Sequence, residues 1–188
     1  MAVMVPGMSV PWITLLRRAM DAEGYKPMII GLGTVDASGS PQVRSVVCRR
    51  VADDGSLWMT SDSRSAKNAQ LTANSRASTV YWAASSRQQF RFSGSVEIRA
   101  SVDDPERKRV WHEMSPETRV TFYWPSPGSA RTPESEFVVT GEGDLPPQTF
   151  TVLVLQTTTV EYLDVSVWPH LRRRWFKRSE WEGQDINP

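Results

Sequence analysis

The sequence predicts a mainly β fold, a small antiparallel barrel decorated with helices, and three observations carry that reading. Six or more short runs rich in β-branched and aromatic residues recur between turn-forming clusters. Three helical segments stand beside these runs rather than alternating with them one for one, which is the pattern of a barrel with α additions. No G-x-G-x-x-G or Walker pattern follows any strand, which argues against a dinucleotide or nucleoside-triphosphate fold.

Each element follows from local chemistry. A first helix is predicted over about 9–24, capped by Ser9, with Pro11 at its first position and Gly24 at its stop. Trp12, Leu15, Leu16, Ala19 and Met20 form its apolar face. The runs MIIGLGTV, QVRSVVCRRV and SLWMTS, split by D-A-S-G-S-P and D-D-G turns, predict an antiparallel meander. Ser65 can cap a short helix from Ala66 to Asn74, with Ala69 and Leu71 on its apolar side. Strands resume at STVYWAA and QQFRFSGSVEIRA, where Phe90, Phe92, Val96 and Ile98 alternate with polar residues around Gly94. Asp103 to about Tyr123 reads as helix, with Val110, Trp111 and Met114 on one face and a break near Pro116. A Pro/Gly/Ser-rich loop spans about 124–147. FTVLVLQTTTVEYLDV and LRRRWF restore the β pattern before a polar tail, EWEGQDINP.

Composition narrows the function. The 188 residues, 39% hydrophobic, suit one domain spanning 1–188. With 22 basic and 21 acidic residues the net charge is +1, so no global field draws the chain to nucleic acid or to a membrane, and any basic site must be local. One cysteine, Cys48, rules out an internal disulfide and reads as strand packing, while two isolated histidines suggest no metal site. Without a signal-like start or a long apolar run, a soluble cytoplasmic protein is expected. The eight tryptophans are compatible with a dimer interface.

One constellation carries chemistry. Arg44 and Arg49 lie on one strand, and Ser61, Arg64, Ser65 and Lys67 cluster at the next strand end and a helix start. Guanidinium forks, an ammonium, hydroxyls and helix-start amides together suit a phosphate monoester. Taken singly, each piece reads more simply as a solvated strand or an ordinary capped helix.

Their order changes the weight. R-S-V-V-C-R at 44–49, T-S-D-S-R-S-A-K at 60–67 and R-Q-Q-F-R-F-S-G at 87–94 resemble the flavin-binding signatures of the pyridoxamine 5'-phosphate oxidase-like split-barrel family. The likeness extends to a tryptophan-proline loop, F-Y-W-P-S-P-G at 122–128, and to V-E-Y-L-D at 160–164 followed by P-H-L-R-R-R-W. The resemblance implies an FMN-binding split β-barrel, antiparallel and Greek-key-like, working as a homodimer with FMN between subunits. It implies that Arg44, Val46, Val47 and Arg49 run along the flavin, with Arg49 where the oxidases usually carry lysine. Thr60 and Ser61 would lie beside the flavin, and Arg64, Ser65 and Lys67 near its phosphate. Gln89, with Gln88 as the neighbouring register, and Arg174, beside Arg172 and Arg173, would reach the flavin from the other subunit.

Departures leave the reaction open. The family's substrate-phosphate residues have no clear copy: the R-x-H stretch reads His170, Leu171, Arg172, and the tryptophan expected after V-E-Y is replaced by Leu163 and Asp164, with Trp168 nearby. No catalytic side chain is assigned. Three readings follow: an FMN-dependent oxidoreductase passing hydride from a small-molecule donor to flavin N5, a non-enzymatic flavin carrier or sensor, and the same barrel holding another cofactor such as a deazaflavin or haem.

Overall fold

Among the described residues, eight antiparallel strands, numbered in chain order, follow one another in the order β3-β2-β1-β4-β5-β6-β7-β8, and a further pairing of β3 with β6 closes the first six into a barrel. A computed structural model describes residues 10–24, 27–137, 143 and 145–188. The strands are β1 (Met28–Val35), β2 (Pro41–Val51), β3 (Leu57–Asp62), β4 (Arg76–Ala83), β5 (Gln88–Arg99), β6 (Phe150–Asp164), β7 (Leu171–Phe176) and β8 (Gly183–Ile186). Among the described residues four α-helices accompany them: α1 (Pro11–Ala22), α2 (Ala66–Ala73), α3 (Pro105–Glu113) and α4 (Pro116–Arg119). Among the described residues no helix is long and apolar enough to cross a membrane.

The alternation read in the sequence becomes an inside and an outside. Met28, Ile30 and Leu32 of β1 and Phe90 and Phe92 of β5 point into the barrel, and α1 sets Trp12, Ile13 and Leu16 against them, all fully or almost fully buried. Trp12 meets Phe92 edge-on at 5.5 Å between ring centres, a favoured aromatic geometry. The first half of β6 does not alternate because both of its faces are covered. Leu153 and Leu155 enter the barrel core, while Val152 and Val154 pack with Trp58, Val110, Trp111, Met114 and Phe122 beneath α3. That is why its sequence reads as a continuous apolar run.

Helix ends and faces differ from expectation in detail. The described helix α1 begins at Pro11 after Val10, and Ser9, the expected cap, lies outside the described residues. Ile13 joins the buried face, whereas Leu15 and Met20 are only half-buried. On α2 the buried residues are Asn68 and Leu71; Ala69 is exposed, so the helix turns a polar side chain inward. The segment from 103 to 123 breaks at Pro116 as its chemistry predicts. The Asp104 side chain accepts from the backbone N–H groups of Glu106 (2.9 Å) and Arg107 (3.2 Å) to start α3, and Val120–Tyr123 tightens into a 3-10 turn. The expected polar tail is not a tail. Gly183–Ile186 forms β8 on β7, where Arg173 grips Asp185 through Nε and Nη2 (2.5 and 2.8 Å). This pairing is supplied by a neighbouring strand rather than by apolar alternation, so it leaves no periodic mark.

One bulge shapes the wall. Between Ser93–Thr159 and Gly94–Thr157 the register of β5 and β6 slips by one residue, leaving Thr158 unpaired. A Cβ at Gly94 would sit 2.1 Å from the Gln156 carbonyl oxygen. Gly94→Ala should therefore destabilise the protein by about 3 kcal/mol and lower its thermal midpoint by about 6–12 °C; an unchanged midpoint in calorimetry would refute the close approach. Cys48 is buried, and desolvation pushes its thiol up to about 12. It should react with Ellman's reagent at pH 8 only after denaturation, and prompt labelling of the native protein would contradict this environment.

Candidate functional site

The polar end of the barrel is built where β1, β2 and β3 meet α2. Arg44 of β2 stands opposite Leu32 of β1 and turns its guanidinium toward α2. It donates to the Leu32 carbonyl (3.2 Å), to Thr34 Oγ1 (2.5 Å) and to Gln70 Oε1 (2.8 Å), and Thr34 Oγ1 itself donates to Gln70 Oε1 (2.7 Å). Burial lowers the Arg44 pKa, although an arginine stays charged through such a change.

Lys67, in the first turn of α2, donates to Ser65 Oγ at 2.8 Å. Burial pulls its pKa below the usual lysine value, and the Arg44 charge lowers it further, against a smaller opposing pull from Asp62. Two cations brought close enough to repel, in a half-buried place, are costly without an anion between them. Ser65 caps α2 by position, but its side chain makes no capping bond to the helix. Its hydroxyl donates instead to the Asp62 carbonyl (2.6 Å) and lies 3.4 Å from Ser61 Oγ. The helix-start amides are thus not covered by the Ser65 side chain.

Asn68 organises this group and is the residue that sequence reasoning missed. Its amide nitrogen lies within donating distance of Ser61 Oγ (2.8 Å), the Asp62 carbonyl (2.6 Å) and Ser65 Oγ (3.0 Å). Thr151 of β6 donates to the Ser61 carbonyl (3.0 Å) and lies 3.3 Å from Asn68 Oδ1, tying the cluster to the barrel wall. A signal existed: Asn68 stands three positions before buried Leu71, on the face of α2 that meets the core.

The structure thus brings Arg44, Ser61, Ser65 and Lys67 into one neighbourhood. It disposes the other expected residues differently. Thr60 is on the opposite face of β3 from Ser61, because neighbours alternate along a strand. Arg64 is exposed and closes its fork on Asp62 (3.0 and 2.6 Å). Val46 points into the core and Val47 away from it. Arg49 is the extra residue of a bulge, since Cys48 pairs with Met59 and Arg50 with Trp58, and bulges re-aim side chains.

Gln89 and Arg174 occupy the outer face of the sheet. Gln88 shares the inward side with Phe90 and is engaged by Asp164 at 2.9 Å, so the outward residue of the pair is Gln89. Arg172 and Arg174 of β7 both reach Glu161 of β6, whereas Arg173 is turned to Asp185. Burial alone would raise the Glu161 carboxyl, but Arg172, Arg91 and Arg174 outweigh it and hold the group below the usual range. His170 Nδ1 lies 2.9 Å from the Val167 carbonyl, and its ring stands edge-on to the highly exposed Trp168.

Known proteins resemble this chain in sequence and in fold. Residues 9–100 match the family described as pyridoxamine 5'-phosphate oxidase, FMN-binding domain. A pyridoxine/pyridoxamine 5'-phosphate oxidase 2 from Arabidopsis thaliana is 26% identical over 196 residues, covering 95% of this chain and 97% of the relative. A pyridoxine/pyridoxamine 5'-phosphate oxidase from Mycobacterium sp. strain JLS is 43% identical over 82 residues, with only 41% of this chain and 39% of the relative covered. The crystal structure of a pyridoxamine 5'-phosphate oxidase-related, FMN binding protein from Nostoc punctiforme is similar with a TM-score of 0.88 at 28% identity, covering 95% of this chain and 97% of the other. PhzG from Burkholderia lata, solved with tetrahydrophenazine-1-carboxylic acid, shares the fold with a TM-score of 0.81 at 21% identity over 99% of this chain and 98% of its own.

The bracket around Asn68 makes a specific demand. Asn68→Ala removes the donor shared by Ser61 and Ser65, and should cost about 1–3 kcal/mol of stability in chemical denaturation while weakening FMN about tenfold in a fluorescence titration. A variant with native stability and native affinity would show that the bracket does not organise the site.

Proposed function

Because residues 9–100 match the pyridoxamine 5'-phosphate oxidase, FMN-binding domain family, we propose that this chain is an FMN-dependent oxidoreductase that takes hydride from a small organic donor. The observation that carries the proposal is the half-buried pairing of Arg44 with Lys67 beside the Ser61 and Ser65 hydroxyls, a donor set whose nearby carboxylate, Asp62, is closed on Arg64, and which matches a phosphate monoester. The donors fit the cofactor's phosphate. When bound, FMN supplies a hydride acceptor at N5.

The protein's own residues then have distinct work. Lys67, Ser65 and Ser61 hold the phosphate, and Arg44, braced by Leu32, Thr34 and Gln70, contributes a fixed charge that does not reorganise on binding. Arg49, re-aimed by its bulge, is assigned to the ring edge, where a cation favours the negative charge that reduction brings. Val46 and Val47 lend backbone along the same strand, Thr60 stands at the strand end, and Arg64 serves the phosphate side only if it leaves Asp62. Gln89 and Arg174 lie on the outer face of the sheet, whereas Arg44 turns toward α2 and the barrel end, so the proposed site joins them through a second subunit. Exposed Ile29, Val43, Val80 and Trp82 on that outer face, around the small residues Gly31, Gly33, Ser78 and Ser93, support a self-complementary contact.

Three measurements test the reading. The purified protein should show flavin-type absorption or take up added FMN, and small amine or alcohol donors or reduced nicotinamide should bleach it anaerobically; absence of reduction by every donor would favour a carrier. Lys67→Ala should weaken FMN about 10–100-fold while leaving riboflavin, which lacks the phosphate, within about twofold, and equal losses for both would remove Lys67 from the phosphate site. Light scattering should give a dimer for the FMN-loaded protein, and a strictly monomeric holo-protein would overturn the shared site.

A further inference from the structure

Arg107, in the first turn of α3, is fully buried, and among the described residues its guanidinium bonds only main-chain oxygen. Nε donates to the Phe150 carbonyl (2.9 Å) and Nη2 to the Pro147 carbonyl (2.5 Å), with the Pro146 carbonyl at 3.5 Å, while Nη1 has no hydrogen-bond partner. Burial lowers its pKa against a weaker pull from Asp104, and an arginine stays charged through such a change. A guanidinium taken out of water with no carboxylate bonded to it is costly, so an apolar side chain would serve packing better. What the fork supplies is a place for the carbonyls it gathers.

Those carbonyls belong to one turn with two sides. Between Pro146 and Phe150, the oxygens of Pro146, Pro147 and Phe150 converge on Arg107, and those of Gln148 and Thr149 serve Ser63. Gln148 accepts from Ser63 Oγ (3.3 Å) and Thr149 from the Ser63 N–H (2.7 Å). That N–H shares its peptide unit with the Asp62 carbonyl, and because the unit is planar and trans the two groups point in opposite directions. Holding the N–H on Thr149 therefore aims the Asp62 carbonyl at the start of α2, where it accepts from Ser65 Oγ (2.6 Å) and the Asn68 amide (2.6 Å). The register adds a second tie. Asp62 pairs with Phe150 and Ser61 with Thr151, so the turn runs directly into the strand beside the site.

We propose that Arg107 is a positioning residue for the cofactor's phosphate: through the 146–150 turn and the Asp62–Ser63 peptide it sets the place of the Ser61 and Ser65 hydroxyls and of the helix start that carries Lys67. This rests on the flavin reading for what the loop binds, whereas the chain of contacts from Arg107 to Asp62 stands by itself. Arg107 touches neither cofactor nor donor. Three carbonyls approached from one side need N–H groups at fixed angles, which a planar fork has and a flexible ammonium lacks. Asp104 fixes the base of that fork, accepting from the backbone N–H groups at the start of α3 and from Arg99 Nε of β5 (2.7 Å). The phosphate loop is thus held from behind by a residue more than forty positions away in sequence.

The test compares FMN with riboflavin by flavin fluorescence on the full chain, because only FMN carries the phosphate. Arg107→Met removes the fork and should weaken FMN about tenfold with riboflavin within about twofold. Arg107→Lys keeps the charge but loses the fork, and should fall between wild type and Arg107→Met. Val110→Ala opens a cavity in the core beneath α3 and leaves Arg107 in place, so it should lower the thermal midpoint yet keep the wild-type ratio of the two affinities. A native ratio in both Arg107 variants overturns the proposal. So does an equal loss for both flavins, or a ratio that falls as far in Val110→Ala, since each would make Arg107 a packing residue. Where the Arg107 variants fail to fold, the wild-type protein carries the test. Coupling is reciprocal, so FMN and not riboflavin should slow hydrogen exchange at the Ser63 N–H and the Arg107 Nε–H, and equal protection by both flavins overturns the proposal. Equal affinity of wild-type protein for FMN and riboflavin would remove the phosphate site and this role with it, whereas a preference that survives in Arg107→Met removes the positioning role alone.

Discussion

Strand β6 carries ladder hydrogen bonds to three neighbours along its fifteen residues: β3 over its first half, β5 along nearly its whole length and β7 over its second. A strand can have two partners at any one point, so β6 must exchange β3 for β7 along its length, and the slip at Thr158 lies in that changeover. The exchange closes the barrel on one side and extends the sheet on the other. Everything of functional interest follows from it. The closed half puts Ser61 and Thr151 opposite one another at the mouth, and the open half lays Glu161 between two strands of arginine.

At the mouth, electrostatics and burial act against each other. The folded chain holds Arg44 and Lys67 near one another with partial desolvation, an arrangement that costs free energy until an anion arrives. The neighbours relieve that cost only in part, Asp62 opposing it weakly. Arg44 is braced by a carbonyl, a hydroxyl and an amide oxygen, none of them charged, and Asn68 ties the serine hydroxyls to the Asp62 carbonyl. Preorganisation of this kind means that little needs to move when a phosphate binds. Arg64, by contrast, has found Asp62 and is neutralised by it.

The outer face shows the reverse design, with a carboxylate present but outnumbered. Both places hold surplus positive charge in a chain whose net charge is only +1, so the surplus is local and compensated elsewhere. Local surplus is what recognition of a phosphate-bearing cofactor requires, without the long-range field that would attract nucleic acid.

The sequence by itself determined the elements and the chemical character of the proposed cofactor site. β1 and β7 have the bounds that MIIGLGTV and LRRRWF suggest, and the helix break at Pro116 is local steric chemistry. The proposed phosphate donors were legible as a group because they lie on consecutive elements, 44 to 67, whose spacing survives folding as proximity. What only tertiary structure decided involves partners distant in the chain. The role of Asn68 depends on Thr151, and the pairing of Arg91 on Glu161, each contact spanning more than fifty positions. β8 exists because β7 offers it an edge, and the two-sided burial of β6 depends on α3 covering its outer side. Local propensity and periodicity encode which face of a strand is apolar; they do not encode which strand will lie beside it, and the pairing of faces places a charge beside its counterion.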